Sequence, residues 1–227
     1  MGANPAQRKY LRNLVGGAVF VRLANMVLAP DPDAALMLSV KEGDTDAFAV
    51  LVDKYKQPVL NLAYRMLRDA AEAEDLAQAV FVQVFKSARR YEVASKFSTW
   101  LFTIARNLCL NEIRRRSRHP VDSMDTAHPE HEDQPLHQYE DTKTASAPER
   151  LLHGELEDKI EQALAELPEN QRLAILLCRQ DELSYEEIAR VLGCSVSATK
   201  SLIHRGRETL KQKLKPYLQT GAWHETK

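Results

Sequence analysis

Toward the C-terminal end of the chain, Lys200, His204, Arg207 and Lys211 recur at the spacing of one helix face. Val196, Ile203, Gly206 and Leu210 fall on the other side and predict a buried face. Between Ser195 and Lys215 six Lys/Arg oppose one acid, Glu208, a balance of +5. Cations at that density on an exposed helix suit phosphate neutralisation and contact with base edges in a DNA major groove. A helical hairpin with a merely solvated charged face is the plain alternative. Charge, turn and caps coincide at this one place, and together they favour DNA.

The elements that must hold those cations are legible nearby. Ser184 with Glu187 three residues on has capping-box spacing and predicts a helix start, followed by Ile188, Ala189 and Leu192 at helical spacing. Gly193 supplies a residue that tolerates the left-handed conformation ending many helices. Gly193-Cys194-Ser195 is then a turn, and Ser195 caps the basic helix. Two helices joined by so short a turn, the second basic and outward, form a helix-turn-helix.

A second set of cations closes an earlier predicted helix. Arg106, Arg114, Arg115, Arg116 and Arg118 against Glu112 give +4. Cations at a helix C-terminus also answer the dipole, but so dense a cluster more often tracks phosphates. Just before that helix, Tyr91, Phe97 and Trp100 interleave with Arg89, Arg90 and Lys96. Aromatics beside cations suit unstacked bases, at roughly 1–3 kcal/mol per base, against about 1.4 kcal/mol to open each duplex step. Phe97 and Trp100 serve equally well as core, which would leave Tyr91 as the exposed ring.

Around these clusters the 227 residues divide in two. With 8 glycines and no long alternating β-branched runs, the fold class is all-α. Residues 34–118 predict a domain of three to four helices. Its first stripe runs from Phe48 through Tyr55 to Met66, with a kink or restart near Gln57 because Pro58 lacks an N–H. Its second, about Ala71–Tyr91, buries Leu76, Val80, Phe81, Val84, Phe85 and Ala88, and its third runs from about Ser98 to Arg116. Residues 119–150 carry eight acids against Lys143 and Arg150, almost no apolar residues, and read as a flexible acidic linker. Residues 151–218 predict four helices ending in the basic one, with Pro168 at a first helical position. Residues 1–33 read as an extension, with Met26 or Met37 as alternative starts, and 219–227 as a tail.

Several functions are excluded. No Gly-rich phosphate loop, nucleophile elbow or H-E-x-x-H occurs, so no enzyme and no cofactor are expected. Cys109, Cys178 and Cys194 are far apart, form no C-x-x-C pair, and read as small buried hydrophobes in a reducing cytoplasm. His119, His128, His131 and His137 mix with carboxylates but lack a scaffold, so no metal is expected. The run Leu14–Leu28 is too short and interrupted to span a bilayer. A net charge of −1 is low for a self-sufficient DNA binder, which implies an assembly that supplies the remaining affinity.

Two stretches carry a resemblance. Glu74-Asp75-Leu76-Ala77-Gln78, Phe97-Ser98-Thr99-Trp100-Leu101 and Ile104-Ala105-Arg106-Asn107 resemble region 2 of bacterial sigma factors of the extracytoplasmic-function group. Leu167-Pro168, Leu183-Ser184-Tyr185-Glu186-Glu187-Ile188-Ala189 and the helix from Ser195 resemble their region 4. The resemblance implies a factor that binds core RNA polymerase and recognises two promoter elements, with promoter DNA and an anti-sigma protein as further partners. It puts Asp75, Leu76 and Gln78 on the polymerase β′ coiled coil, and region 4 at the β flap. Arg90–Ser98 would take a minus-ten base, with Tyr91, Lys96, Arg106, Arg114, Arg115 and Arg116 toward DNA. Ser197, Lys200, Ser201, His204, Arg205 and Arg207 would face the minus-thirty-five element. Glu92-Val93 stands where the family often has Arg-Gly, and Thr199-Lys200-Ser201-Leu202 where it commonly has Val-Arg-Ser-Arg, so no promoter sequence is implied. A free-standing dimeric regulator and a helical adaptor for acidic proteins are the competing readings.

Overall fold

The computed structural model describes residues 31–118, 147–180 and 183–220. The expectations for the N-terminal extension, the acidic linker with its histidines and the end of the tail lie largely outside them. The described residues form α-helices and one 3-10 turn. They are α1 (Pro32–Lys41), α2 (Thr45–Leu67), α3 (Ala70–Ser87), the 3-10 turn (Ala88–Arg90), α4 (Phe97–Arg118), α5 (Ala147–Ala165), α6 (Glu169–Cys178), α7 (Tyr185–Leu192) and α8 (Val196–Thr220). Among these residues no helix is long and apolar enough to cross a membrane.

Aspartates start the first three helices. Asp31, Asp44 and Asp69 each accept a backbone N–H of the first turn, satisfying donors that have no partner inside the helix. Asp31 does this twice. Its Oδ1 accepts from Asp33 N–H at 3.1 Å, and its Oδ2 accepts from Phe97 N–H, at the start of α4, at 2.7 Å. Asp33 in turn accepts from the Tyr55 hydroxyl and from Lys54, both at 2.6 Å. The last residues read as extension therefore belong to the fold, because they staple α1 to α2 and α4.

Helix α2 runs unbroken through Pro58, so the expected restart is absent. One missing hydrogen bond is outweighed where Leu51, Tyr55, Val59, Leu62 and Met66 are all buried along the same helix. Arg68 ends α2 in the left-handed region at φ 58°, which lets α3 begin after only one further residue, Asp69. Pro168 precedes α6 as its cap residue, one position before the predicted one, and α5 begins at Ala147, inside the stretch assigned to the linker.

The first four helices pack as α2 against α1, α3 and α4, with Tyr55, Phe97 and Phe102 ring to ring at their centre. The last four pack as α8 against α5, α6 and α7. The two groups are in contact: α7 lies on α4, and α2 meets α5 and α6, so one apolar cluster extends from Ala34 to Ile203.

Candidate nucleic-acid interface

The helix-turn-helix is built by local chemistry that the sequence announces. Ser184 Oγ accepts from Glu187 N–H at 3.3 Å while the Glu187 carboxylate accepts from Ser184 N–H at 2.7 Å, a complete capping box. Burial pushes the Glu187 carboxyl up. Hydrogen bonds from Ser184 and the Lys96 ammonium outweigh that and hold it below the usual range. Gly193 closes α7 at φ +67°, and Cys194 N–H returns to the Ala189 carbonyl at 3.1 Å. Ser195 Oγ then accepts from Ala198 N–H at 3.2 Å to start α8.

Helix α8 buries Ile203 and Gly206 and half-buries Val196 and Leu210. At Gly206 the backbone approaches α6 so closely that an added Cβ would lie 2.9 Å from Ile175 Cγ1. That approach turns the opposite side outward: Ser197, Lys200, Ser201, His204, Arg205 and Arg207 are all exposed. Lys200 Nζ sits 5.7 Å from the centre of the Tyr185 ring, a cation–π contact that orients it at the mouth of the motif. Arg205 Nε donates to the Ser201 carbonyl at 3.3 Å, and Arg207 reaches Cys178 Sγ at 3.3 Å. The six predicted residues are thus brought onto the outer surface of one capped helix.

The region-2 set is partly rearranged. Arg114, Arg115 and Arg118 are exposed and line a shallow depression with Asn111. Arg106 is half-buried and bonds Asn107 at 3.2 Å. Arg116 is a correction. Its guanidinium donates to the Leu67 carbonyl at 2.9 Å and pairs with Glu72, so this half-buried side chain is engaged in capping α2. Tyr91 is a second correction. The ring expected to be exposed is 3% exposed, packed edge-on to Phe97 and 4.9 Å from Trp100, and the Lys41 ammonium donates to the Tyr91 carbonyl at 2.9 Å. Burial, and after it the Asp31 and Asp33 carboxylates, push its phenol well above the usual range. Phe97 is core, and Trp100 is half-buried. Lys96 is exposed but paired, 3.2 Å from Glu187.

On α3, Asp75 and Gln78 are exposed, while Leu76, expected on the buried face as well as at the polymerase contact, is 7% exposed and lines a depression with Asp75, Leu108 and Asn111. Phe85, read as buried, is 50% exposed, as is Val82. Asp75, Gln78, Val82 and Phe85 follow spacings of three, four and three, so they form one outward stripe, with the Phe85 ring tilted against Phe48 of α2 at 5.1 Å between centroids. The period was in the sequence, yet α3 is apolar on both faces, so period alone could not say which face turns inward. The double cap at Asp31 was also missed, since a cap shared between distant helices leaves no local signal.

Comparison with known proteins agrees with this architecture. The family described as Sigma-70 region 2 matches residues 51–119, and Sigma-70, region 4 matches 157–210. The RNA polymerase sigma-H factor of Pseudomonas aeruginosa is 37% identical over 195 residues, 85% of this chain and 99% of that one. The ECF RNA polymerase sigma factor SigW of Bacillus subtilis is 37% identical over 176 residues, 78% of this chain and 93% of that one. The ECF RNA polymerase sigma-E factor of Escherichia coli K12 is 33% identical over 189 residues, 82% and 96% of the two chains. Among solved structures, the sigma factor RpoE in complex with the anti-sigma factor NepR from Bartonella quintana matches with a TM-score of 0.57 at 27% identity, over 74% of this chain and 96% of that one.

Proposed function

This chain belongs to the extracytoplasmic-function group of the sigma-70 family, and from that membership we propose how its surfaces divide the work. It is a sigma factor: it binds core RNA polymerase and directs promoter-specific transcription initiation. The outer face of α8 reads the minus-thirty-five element through Ser197, Lys200, Ser201, His204 and Arg205, with Arg207 toward the backbone. Arg106, Arg114 and Arg115 on α4 follow upstream duplex phosphates, and Lys96 serves the minus-ten loop. Tyr91 and Arg116 leave the DNA-facing set and act as supports. The half-buried Trp100, resting on Tyr91, takes over base stacking.

Asp75, Gln78, Val82 and Phe85 form the docking stripe for the β′ coiled coil, with Leu76 packing it from beneath, and region 4 meets the β flap. An anti-sigma protein is the expected regulator, in the cytoplasm where the polymerase works. RpoE of Bartonella quintana is held by such a protein.

The observation that carries this reading is the capped helix-turn-helix with its exposed basic face. It accounts for a chain of net charge −1, because polymerase contributes the remaining DNA affinity. The test is reconstitution with core polymerase on promoters enriched by the complex. Replacing Lys200 and Arg205 by alanine should weaken binding at the upstream element and lower the salt slope by about 0.9 for each phosphate that is no longer neutralised. Tight duplex binding by the free chain, with no association with core polymerase, would refute it.

A further inference from the structure

Between the 3-10 turn and α4 the chain runs through residues 91–96 outside any helix. Glu92, Val93, Ala94 and Lys96 are exposed, Val93 at 43%, and Ala94 N–H returns to the Glu92 carbonyl at 2.9 Å. These residues are the centre of the stretch assigned to the minus-ten base. A loop that takes an unstacked base must be ordered once the base arrives, and any ordering left until then is subtracted from the affinity. Whatever shapes the loop beforehand therefore takes part in promoter opening.

Helix α1 holds both ends of this loop. At its start Lys41 Nζ donates to the Tyr91 carbonyl at 2.9 Å, and at its end Asp31 Oδ2 accepts from Phe97 N–H at 2.7 Å. Each bond joins a charged side chain to backbone, and such bonds are about twice as strong as neutral ones. Lys41 is the last residue of α1 and Asp31 its cap, so the two ties leave opposite ends of a strut about 15 Å long. Helix α1 also lies against the 3-10 turn and against α4, the two elements that flank the loop.

The strut is itself fixed. Ala34, Met37 and Val40 are buried, and Asp33 accepts from Tyr55 and Lys54 of α2 at 2.6 Å each. Apolar packing and Asp33 are enough to seat α1 on α2, and neither loop tie is needed for that. The tie at Tyr91 also bears on the stacking platform, because the Tyr91 ring lies 4.9 Å from Trp100. The Tyr91 hydroxyl is buried without a hydrogen-bond partner, so packing and backbone bonds hold this ring, not its polar end.

We propose that Lys41 and Asp31 are positioning residues for promoter opening: from the two ends of α1 they hold loop 91–96 and the Tyr91–Trp100 platform in the shape that receives the minus-ten base. The proposal rests on the sigma-factor reading. With one end released, only a fraction of loops keeps the receptive shape, and apparent affinity falls by that fraction. A fraction of about one tenth makes the loss about tenfold.

Lys41→Met removes the donor and keeps the length of the side chain, while Lys41→Arg keeps a cationic donor. Each variant is assembled with core polymerase and given a single-stranded oligonucleotide of the non-template minus-ten element, taken from a promoter enriched by the wild-type complex. Lys41→Met should bind it about tenfold more weakly and slow the appearance of permanganate-reactive thymines on the duplex promoter by a similar factor. Its binding to a duplex carrying the minus-thirty-five element alone should be unchanged, and Lys41→Arg should restore oligonucleotide binding to within about twofold of wild type. Oligonucleotide binding at the wild-type level in Lys41→Met, equal losses on both DNAs, or an arginine variant no better than methionine would each overturn the proposal. A second arm uses the free full chain: hydrogen exchange at the amides of residues 92–96 should quicken about tenfold in Lys41→Met with the core of α4 unchanged. Unchanged protection there would sink the strut whatever the chain does with polymerase, whereas failure of the sigma-factor reading is seen separately, as no complex with core polymerase.

Discussion

Gly206→Ala separates two opposing terms whose sizes are set by the structure. In the interior of an exposed helix the change gains about 1 kcal/mol, because glycine loses more backbone freedom on folding. Gly206 is not exposed. The added Cβ would come to 2.9 Å from Ile175 Cγ1 and 3.2 Å from its Cδ1, and Ile175 is itself 7% exposed on α6. Cγ1 is only one bond from the Ile175 Cβ, so it cannot swing aside without moving the χ1 rotamer or the helix. Overpacking of this kind costs about 1–3 kcal/mol. The net is a loss of about 1 kcal/mol, or roughly 2–4 °C in Tm for a chain of this size. Urea unfolding followed by circular dichroism measures it. On an Ile175→Ala background, where the obstructing atom is gone, the same substitution should stabilise by about 1 kcal/mol. A higher urea midpoint for Gly206→Ala alone would refute the argument, since it would mean that α8 does not depend on this close approach.

Asp31→Ala removes caps from α1 and α4 together and should destabilise by about 1–3 kcal/mol in the same assay, against about 1 for a single cap. A loss below that of a single cap would show that the link to Phe97 contributes nothing. Phe85→Glu, on the exposed stripe, should reduce co-purification with core polymerase at least tenfold while leaving Tm unchanged, whereas Leu76→Ala should destabilise by about 2–5 kcal/mol. Equal loss of stability in both would place Phe85 in the core after all. Cys109 is fully buried, and burial pushes its thiol up to about 12 from the ordinary 9. At pH 8 it should resist iodoacetamide while the half-buried Cys178 and Cys194 react. The raised value also means that the fold is favoured while the thiol stays protonated. That contribution is complete below about pH 9 and is lost as pH climbs toward 12, because only the unfolded chain ionises there.

The features legible before any fold was known are those decided within one or two helical turns. The capping box at Ser184 and Glu187, the left-handed Gly193 and the outward basic face of α8 all depend on neighbours three or four residues apart, so the local order of residues is enough to set them. The all-α class and the division into two helical groups followed from the same short-range periodicity. Packing between helices settled which apolar residues of α3 turn outward, because Val82 and Phe85 obey the helical period as well as Leu76 and Val80 do. Packing also gave Arg116 to the end of α2, enclosed Tyr91, and let one carboxylate, Asp31, start two helices 66 residues apart. Glu187, legible as a cap, reaches across to Lys96 for the same cause. A side chain's partner across space is chosen by how helices pack, and the free energy of that choice is shared among residues far apart in the chain, where no local pattern records it.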